Sequence, residues 1–372
     1  MGTSSPHPPA VCNTLVTNVC YDAFDDGGPT SRARNHEIET MANGVKGESV
    51  GLSWPVARSS TAAIGRRLNI GDRLFRAMTA GFALSLLAVL VSILAVLAYE
   101  SSDAIRHFGW HFLVTSTWNP VTKQFGALPF VYGTLVSSFL ALLQAVPLSI
   151  GTALFLSEMA PGWLRAPASF LVELLATIPS VVYGLWGIFV MVPWVRSYIG
   201  PALSDTLGFL PLFQGPNYGV SMLAASMILA VMVVPYVTSV AHEVFQAVPS
   251  AQREAALALG ATKWEMIRLS VLPYGRTGVI GAIMLGLGRA IGETMAVTMV
   301  IGNRAAISAS LFAPGSTMAS VIANEFNEAT YELYIQALVE IGLVLLVVTV
   351  VVNMLARLLV WSVAGPDTSG ER

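Results

Sequence analysis

The sequence predicts an all-α membrane protein built on six transmembrane helices. Three observations carry that prediction. The 372 residues are 54% hydrophobic and only 11% charged, with a mean hydropathy of +0.66, whereas a soluble domain carries about 25% charged residues. Six long apolar segments follow one another after the first seventy or so residues, and each is near the ~20 residues that cross ~30 Å of hydrocarbon. Backbone groups in hydrocarbon must be satisfied within their own segment, so these segments are helices. The formal net charge of -2 and the lack of a basic tract give no footing for nucleic acid.

Residues 1–72 are rich in Pro, Ser, Gly, Asn and Asp without a sustained apolar period, and read as a disordered tail. Both cysteines, Cys12 and Cys20, lie there, so no disulfide framework or cysteine metal site can form in the hydrophobic body. The tail has no signal-peptide pattern, and Met41 offers an alternative start. A membrane domain over 73–365 follows, then a short tail, 366–372. Its six spans read as 77–99, 131–156 (with Pro147), 166–194 (with Glu173 and Pro179), 219–241 (with Pro235), 277–301 and 334–361. Prolines within spans predict kinks, either along a path or in simple packing. His107 and His111 are spaced i, i+4, a spacing that can hold a metal on a helix; beside Trp110 they read instead as an interfacial pair.

Flanking cations orient the spans. Arg66, Arg67, Arg73, Arg76, Arg165, Arg253, Lys263, Arg268, Arg276 and Arg357 fall on one side, against Arg106, Lys123, Arg196 and Arg304 on the other. Both termini and the 242–276 loop are therefore expected in the cytoplasm. The loop 302–333 falls outside, with a Pro-Gly turn and a short helix expected near 316–330; it either docks another protein or folds back as a gate.

The segment VPSAQREAALALGATKWEMIRLSVLP, 248–273, is the long cytoplasmic loop. Ser250 can cap a first short helix, and Gly260 suits the left-handed position past its end. Thr262 and Glu265 form a T-x-x-E capping box that opens a second helix, and Pro273 closes the segment before the fifth span. Ala255, Ala256 and Ala258 present a smooth face, with Arg253, Glu254 and Lys263 around it. This knob reads either as an ordinary helical loop or as a docking surface.

The stretch EAALALGATKWEMIRLSVLP resembles the EAA signature of ABC importer permeases, matched at Glu254, Ala255, Ala256, Gly260, Leu272 and Pro273. The resemblance covers about 75–365 and implies the type I (MetI-like) importer permease fold. It implies that Glu254, Ala255, Ala256 and Gly260 couple to a dimer of separate ATP-binding subunits that carry the ATP and Mg. The sequence has no G-x-x-x-x-G-K-[ST] loop, so no cofactor and no metal are expected on this chain, and it is not expected to be an enzyme by itself. GRAIGETMAV, 288–297, is similar to the same stretch of phosphate importers of the Pst type, and TIPSVVYGLWG with the long first external loop is most like their C-type subunit. Sulfate and molybdate permeases share a related stretch and form the alternative. The family further implies a similar but distinct A-type permease partner, an external phosphate-binding protein, and a bacterial inner membrane.

Arg289 and Glu293 stand in the middle of an apolar run. Counted from Thr277, Arg289 lies about 18 Å along the fifth span, too deep to reach an interface easily. A central arginine costs about 2.5–3.5 kcal/mol to insert and is a functional candidate by default. The i, i+4 spacing predicts a pair on one helix face, and Gly288 and Gly292 make a GxxxG that lets a helix approach. Two readings follow: a self-neutralising structural pair, or an anion relay. In the second, Arg289 grips an oxyanion with its planar fork, Glu293 accepts a hydrogen bond from the proton of hydrogen phosphate or dihydrogen phosphate, and Thr294 adds a hydroxyl. Glu173 and Glu340 are lesser candidates, as packing or gating carboxylates.

Overall fold

The structure, a computed structural model, describes residues 61–364 and the side-chain surroundings of 71–358. The chain divides into two units at Ala77 and Met78. The described part of the first is helical, the beginning of α1 (Thr61–Glu100). Residues 61–72, read as tail, are thus helix: no proline interrupts 61–100, and Ala62, Ala63, Arg66, Arg67 and Leu68 are good helix formers. The rest of that tail, with Cys12, Cys20 and Met41, lies outside the described residues, as do 366–372.

In the second unit, α2 (Ser102–Phe108) and α3 (His111–Val114) are separated by Gly109 at φ +55°. That turn puts His107 and His111 on different helices, so the i, i+4 metal geometry does not form. Next comes α4 (Leu128–Leu154), prolonged by a wide π-helical turn to Met159. The third segment is interrupted. α5 (Gly162–Thr177) stops at Ile178 and Pro179, both extended at ψ 131° and 137°. Proline lacks the N–H a helix needs and drives its predecessor out of helical space. Helix resumes as α6 (Ser180–Trp186), continues through π turns, and ends with α7 (Gly200–Leu207). The span read at 166–194 therefore straddles a break, and Ser180–Leu207 is the stretch long and apolar enough to cross.

The most buried span is α8 (Met222–Gln246). It interlocks with α4 beside the prolines of both helices: Ser149 Oγ donates to the Val234 carbonyl at 3.2 Å, and Thr238 Oγ1 donates to the Ser149 carbonyl at 3.4 Å. Beyond it, α9 (Ser250–Ala258) starts after Pro249, and no side chain caps it. Ser250 is thus the first helical residue and not its cap. α10 (Lys263–Met266) carries the expected capping box of Thr262 and Glu265, and Gly260 has φ +85°.

Pro273 does not end that second helix. A π turn over Ile267–Val271 leads directly into α11 (Leu272–Gly292), with the Leu272 N–H bonded to Ile267 O, five residues back. The wide turn carries Pro273 at the first turn of α11, where its missing N–H costs little. One stretch, Lys263–Gly292, therefore joins the signature loop to the fifth span. It stops at Glu293 and resumes as α12 (Met295–Val300). α13 (Met318–Glu325) and α14 (Glu332–Ala364) complete the chain. Six stretches among the described residues are long and apolar enough to cross a membrane.

Two apolar clusters form. The larger surrounds α8; the smaller joins Phe112, Phe125 and Phe130 to Met318, Tyr334, Leu338 and Ile341. Segment 302–317 folds back between them. Its Ala313 and Leu311 carbonyls accept from Met222 N and Leu223 N at 3.1 and 2.9 Å, supplying acceptors to the otherwise orphaned N-terminal donors of α8. Phe312 is 1% exposed, so this part of the loop is an internal plug.

Candidate functional site

Arg289 lies on the last turn of α11. Its guanidinium sits over the ring of Tyr236 on α8, 5.6 Å from the centroid. Tyr236 is fourteen residues from Met222 and ten from Gln246, the two ends of α8, so it lies about 21 and 15 Å from them. The buried partner helix thus sets Arg289 beside the middle of α8, although Arg289 itself stands three residues from the end of α11.

The expected pair with Glu293 is absent. Arg253, by contrast, does form an ion pair, with Glu158. The physical reason for the absence is the end of the helix: ψ 125° at Glu293 turns the chain after it away from α11, and its carboxylate serves the start of the next helix rather than Arg289. Its Oε1 instead accepts the Ala296 N–H of α12 at 3.4 Å, and its other carboxylate oxygen makes no hydrogen bond among the described residues. Arg289 is half-buried, and its Nε is enclosed with no partner. Cation–π contact contributes about 0.5–2 kcal/mol, less than the cost of placing the charge at this depth. Thr294 and Thr298 spend their hydroxyl protons locally, Thr294 on Gly292 O at 3.3 Å and Thr298 on Thr294 O at 2.7 Å; their oxygens remain acceptors.

The glycines of α11 do two different things. A Cβ on Gly286 would meet Val237 at 2.6 Å and Val233 at 3.1 Å, so this glycine lets α11 close on α8. Gly288 and Gly292 face nothing within 4 Å. Their GxxxG face is open along this chain, next to Arg289. The breaks in the third and fifth segments are also neighbours: a Cβ on Gly184 of α6 would meet Met299 at 2.5 Å and Ala296 at 3.1 Å, both on α12.

The signature loop forms the second surface. Glu254, Ala255 and Gly260 are exposed and Ala256 is half-buried. Around them Leu257, Leu259, Trp264 and Leu269 are 44%, 90%, 62% and 70% exposed. Exposed apolar side chains of this kind are what a protein or a membrane covers. Arg253, read as a rim residue, instead anchors the loop. Its Nη2 reaches Glu158 Oε1 at 2.9 Å and Phe245 O at 2.6 Å, and its Nη1 reaches Val248 O. Glu158 and Tyr236 were missed in the sequence; Glu158 is ninety-five residues from its partner, and no local spacing points from Tyr236 to residue 289.

Of the lesser candidates, Glu173 is exposed and lines a polar cleft with Arg165, His242, Glu243 and Gln246. Glu340 is buried. Among the described residues no group of three or more His, Cys, Asp or Glu side chains is placed to hold a metal.

Residues 145–364 match the family described as the binding-protein-dependent transport system inner membrane component. The phosphate transport system permease protein PstC of Mesorhizobium japonicum is 47% identical over 307 residues, 82% of this chain and 94% of that protein. Its counterpart in Pasteurella multocida is 47% identical over 309 residues, 82% and 96% of the two chains. PstC 1 of Mycobacterium tuberculosis is 39% identical over 282 residues, 69% and 83%. Among solved structures, a bacterial ABC transporter involved in the import of the acidic polysaccharide alginate aligns over 80% of this chain and 97% of that one, at 18% identity and a TM-score of 0.48. The extent of the family match, the near full-length coverage of these relatives and the six apolar helices agree: this chain is a multi-pass membrane protein of the binding-protein-dependent transport family, and within it belongs with the PstC permeases.

Proposed function

We propose that this chain is the C-type permease subunit of an ATP-driven importer of inorganic phosphate, and that Arg289 is the anion's contact on the path. The observation that carries the reading is a guanidinium beside the middle of α8 with no ion-pair partner among the described residues. A buried charge of that kind calls for a counter-ion, and a tetrahedral oxyanion matches the planar fork of arginine. The unbonded oxygen of Glu293 accepts a hydrogen bond from the P–OH of hydrogen phosphate or dihydrogen phosphate. Its Oε1 meanwhile keeps α12 in place, so the two oxygens divide holding the backbone from reading the substrate's proton. Thr294 Oγ1 offers a further acceptor.

In this reading the open face of Gly288 and Gly292 looks onto the pathway, whose other half comes from a homologous A-type permease. Glu254, Ala255, Ala256 and Gly260 with the apolar rim meet a dimer of ATP-binding subunits, which hold ATP and Mg; this chain hydrolyses none. The continuous helix from Lys263 to Gly292 supports a rigid link from that interface to the end of α11. An external phosphate-binding protein delivers the anion, and both termini lie in the cytoplasm of a bacterial inner membrane. The reading is tested by ATPase activity of the assembled complex with a loaded binding protein. Phosphate is expected to stimulate turnover; stimulation by sulfate or molybdate in its place overturns the assignment.

A further inference from the structure

At the end of the spans opposite the signature loop, a cleft of about 490 Å³ runs between the α2–α3 corner and α14. This is the size of an ordinary ligand cleft. Its walls are apolar, with Ile105, Trp110 and Leu113 on one side and Val344 and Val347 on the other. One charged group lines it, Glu340, which is 5% exposed and whose Oε2 has no hydrogen-bond partner. Arg106, His107 and His111, on α2 and α3, form no ion pair with it. The corner is pinned to α14 by Gln336 Nε2 donating to Asp103 Oδ2 at 3.4 Å. Trp110, at the mouth, is 84% exposed.

We infer that this cleft holds one membrane phospholipid with a primary ammonium headgroup, the ammonium donating to Glu340 and an acyl chain lying along α14. A carboxylate this enclosed needs a donor, and the described residues supply none. Exposed tryptophans sit at the headgroup level of a bilayer, so Trp110 sets the height of the cleft's mouth. From Glu340 to Val347 the groove follows α14 for about 10 Å toward the bilayer interior, with apolar walls suited to hydrocarbon. A free amine would leave those walls unfilled. An anionic headgroup would meet a like charge, and a quaternary ammonium has no N–H to give. Under the proposed orientation the lipid belongs to the outer leaflet.

The test is native mass spectrometry of the assembled transporter, released from nanodiscs of equimolar phosphatidylethanolamine, phosphatidylglycerol and phosphatidylcholine. One phosphatidylethanolamine per copy of this chain is expected, favoured at least tenfold over each of the others. Glu340→Gln, which keeps the shape and removes the charge, is expected to lose that preference. Val347→Trp, which fills the groove and leaves the carboxylate in place, is expected to lose the lipid, and this variant decides the matter if Glu340→Gln fails to assemble. Retention of phosphatidylglycerol at the same level, equal retention in the variants, or no retained lipid in the wild type overturns the inference.

Discussion

Removing the Arg253 side chain should loosen the signature loop from the membrane helices. Arg253 is 21% exposed and Glu158 only 7%. Nε and Nη2 both reach Glu158 Oε1, at 3.2 and 2.9 Å, while Phe245 O and Val248 O take further donors. Arg253→Ala strands a nearly enclosed carboxylate and frees two carbonyls. Breaking a buried pair from one side costs about 3–5 kcal/mol, and the partial exposure of Arg253 sets the expectation at the low end, about 3 kcal/mol. Glu158→Gln keeps an acceptor but loses its charge; charge-assisted bonds are roughly twice as strong as neutral ones, so about 1–2 kcal/mol is expected. The double variant should show an interaction of about 1.5–3 kcal/mol. The assay is denaturation of the purified chain, paired with phosphate imported per ATP in reconstituted complexes. Arg253→Ala should lower that ratio while leaving the exposed face of α9 unaltered. A loss under about 0.5 kcal/mol, or additive single effects, refutes the clamp.

Two more outcomes follow from packing. Gly286→Leu is expected to cost about 1–3 kcal/mol by overpacking, because its Cβ already meets Val237 at 2.6 Å; Gly288→Ala, with open space around it, should leave the melting of the isolated chain unchanged and reduce import only in the assembled transporter. Phe312→Ala should cost about 3–5 kcal/mol and increase hydrogen exchange at Met222 and Leu223, whose N–H groups bond to the plug.

Much of this architecture can be read from local signals. Hydropathy finds the spans, the T-x-x-E spacing finds the cap at Thr262, and Gly260 takes the positive φ its place demands. What escapes is decided between distant elements or by small backbone choices. Pro179 looks like a tolerable kink in an apolar run and instead splits the third segment. Pro273 looks like a stop and is carried by a π turn. Arg289 and Glu293 keep helical spacing in the sequence, yet the helix ends one residue before Glu293. That break leaves Arg289 without the neutralising partner that the spacing suggested. The plug at 311–313 depends on donors at the start of α8 nearly ninety residues earlier, a relation no local pattern records.

The central claim is that Arg289 meets the transported anion. The direct measurement is ATP-driven phosphate uptake into vesicles holding the assembled transporter with Arg289→Gln, alongside copurification of its ATP-binding subunits. The account predicts uptake at background with the complex intact, and at most partial recovery with Arg289→Lys, which restores the charge without the fork. Uptake by the Arg289→Gln complex at the wild-type rate contradicts it.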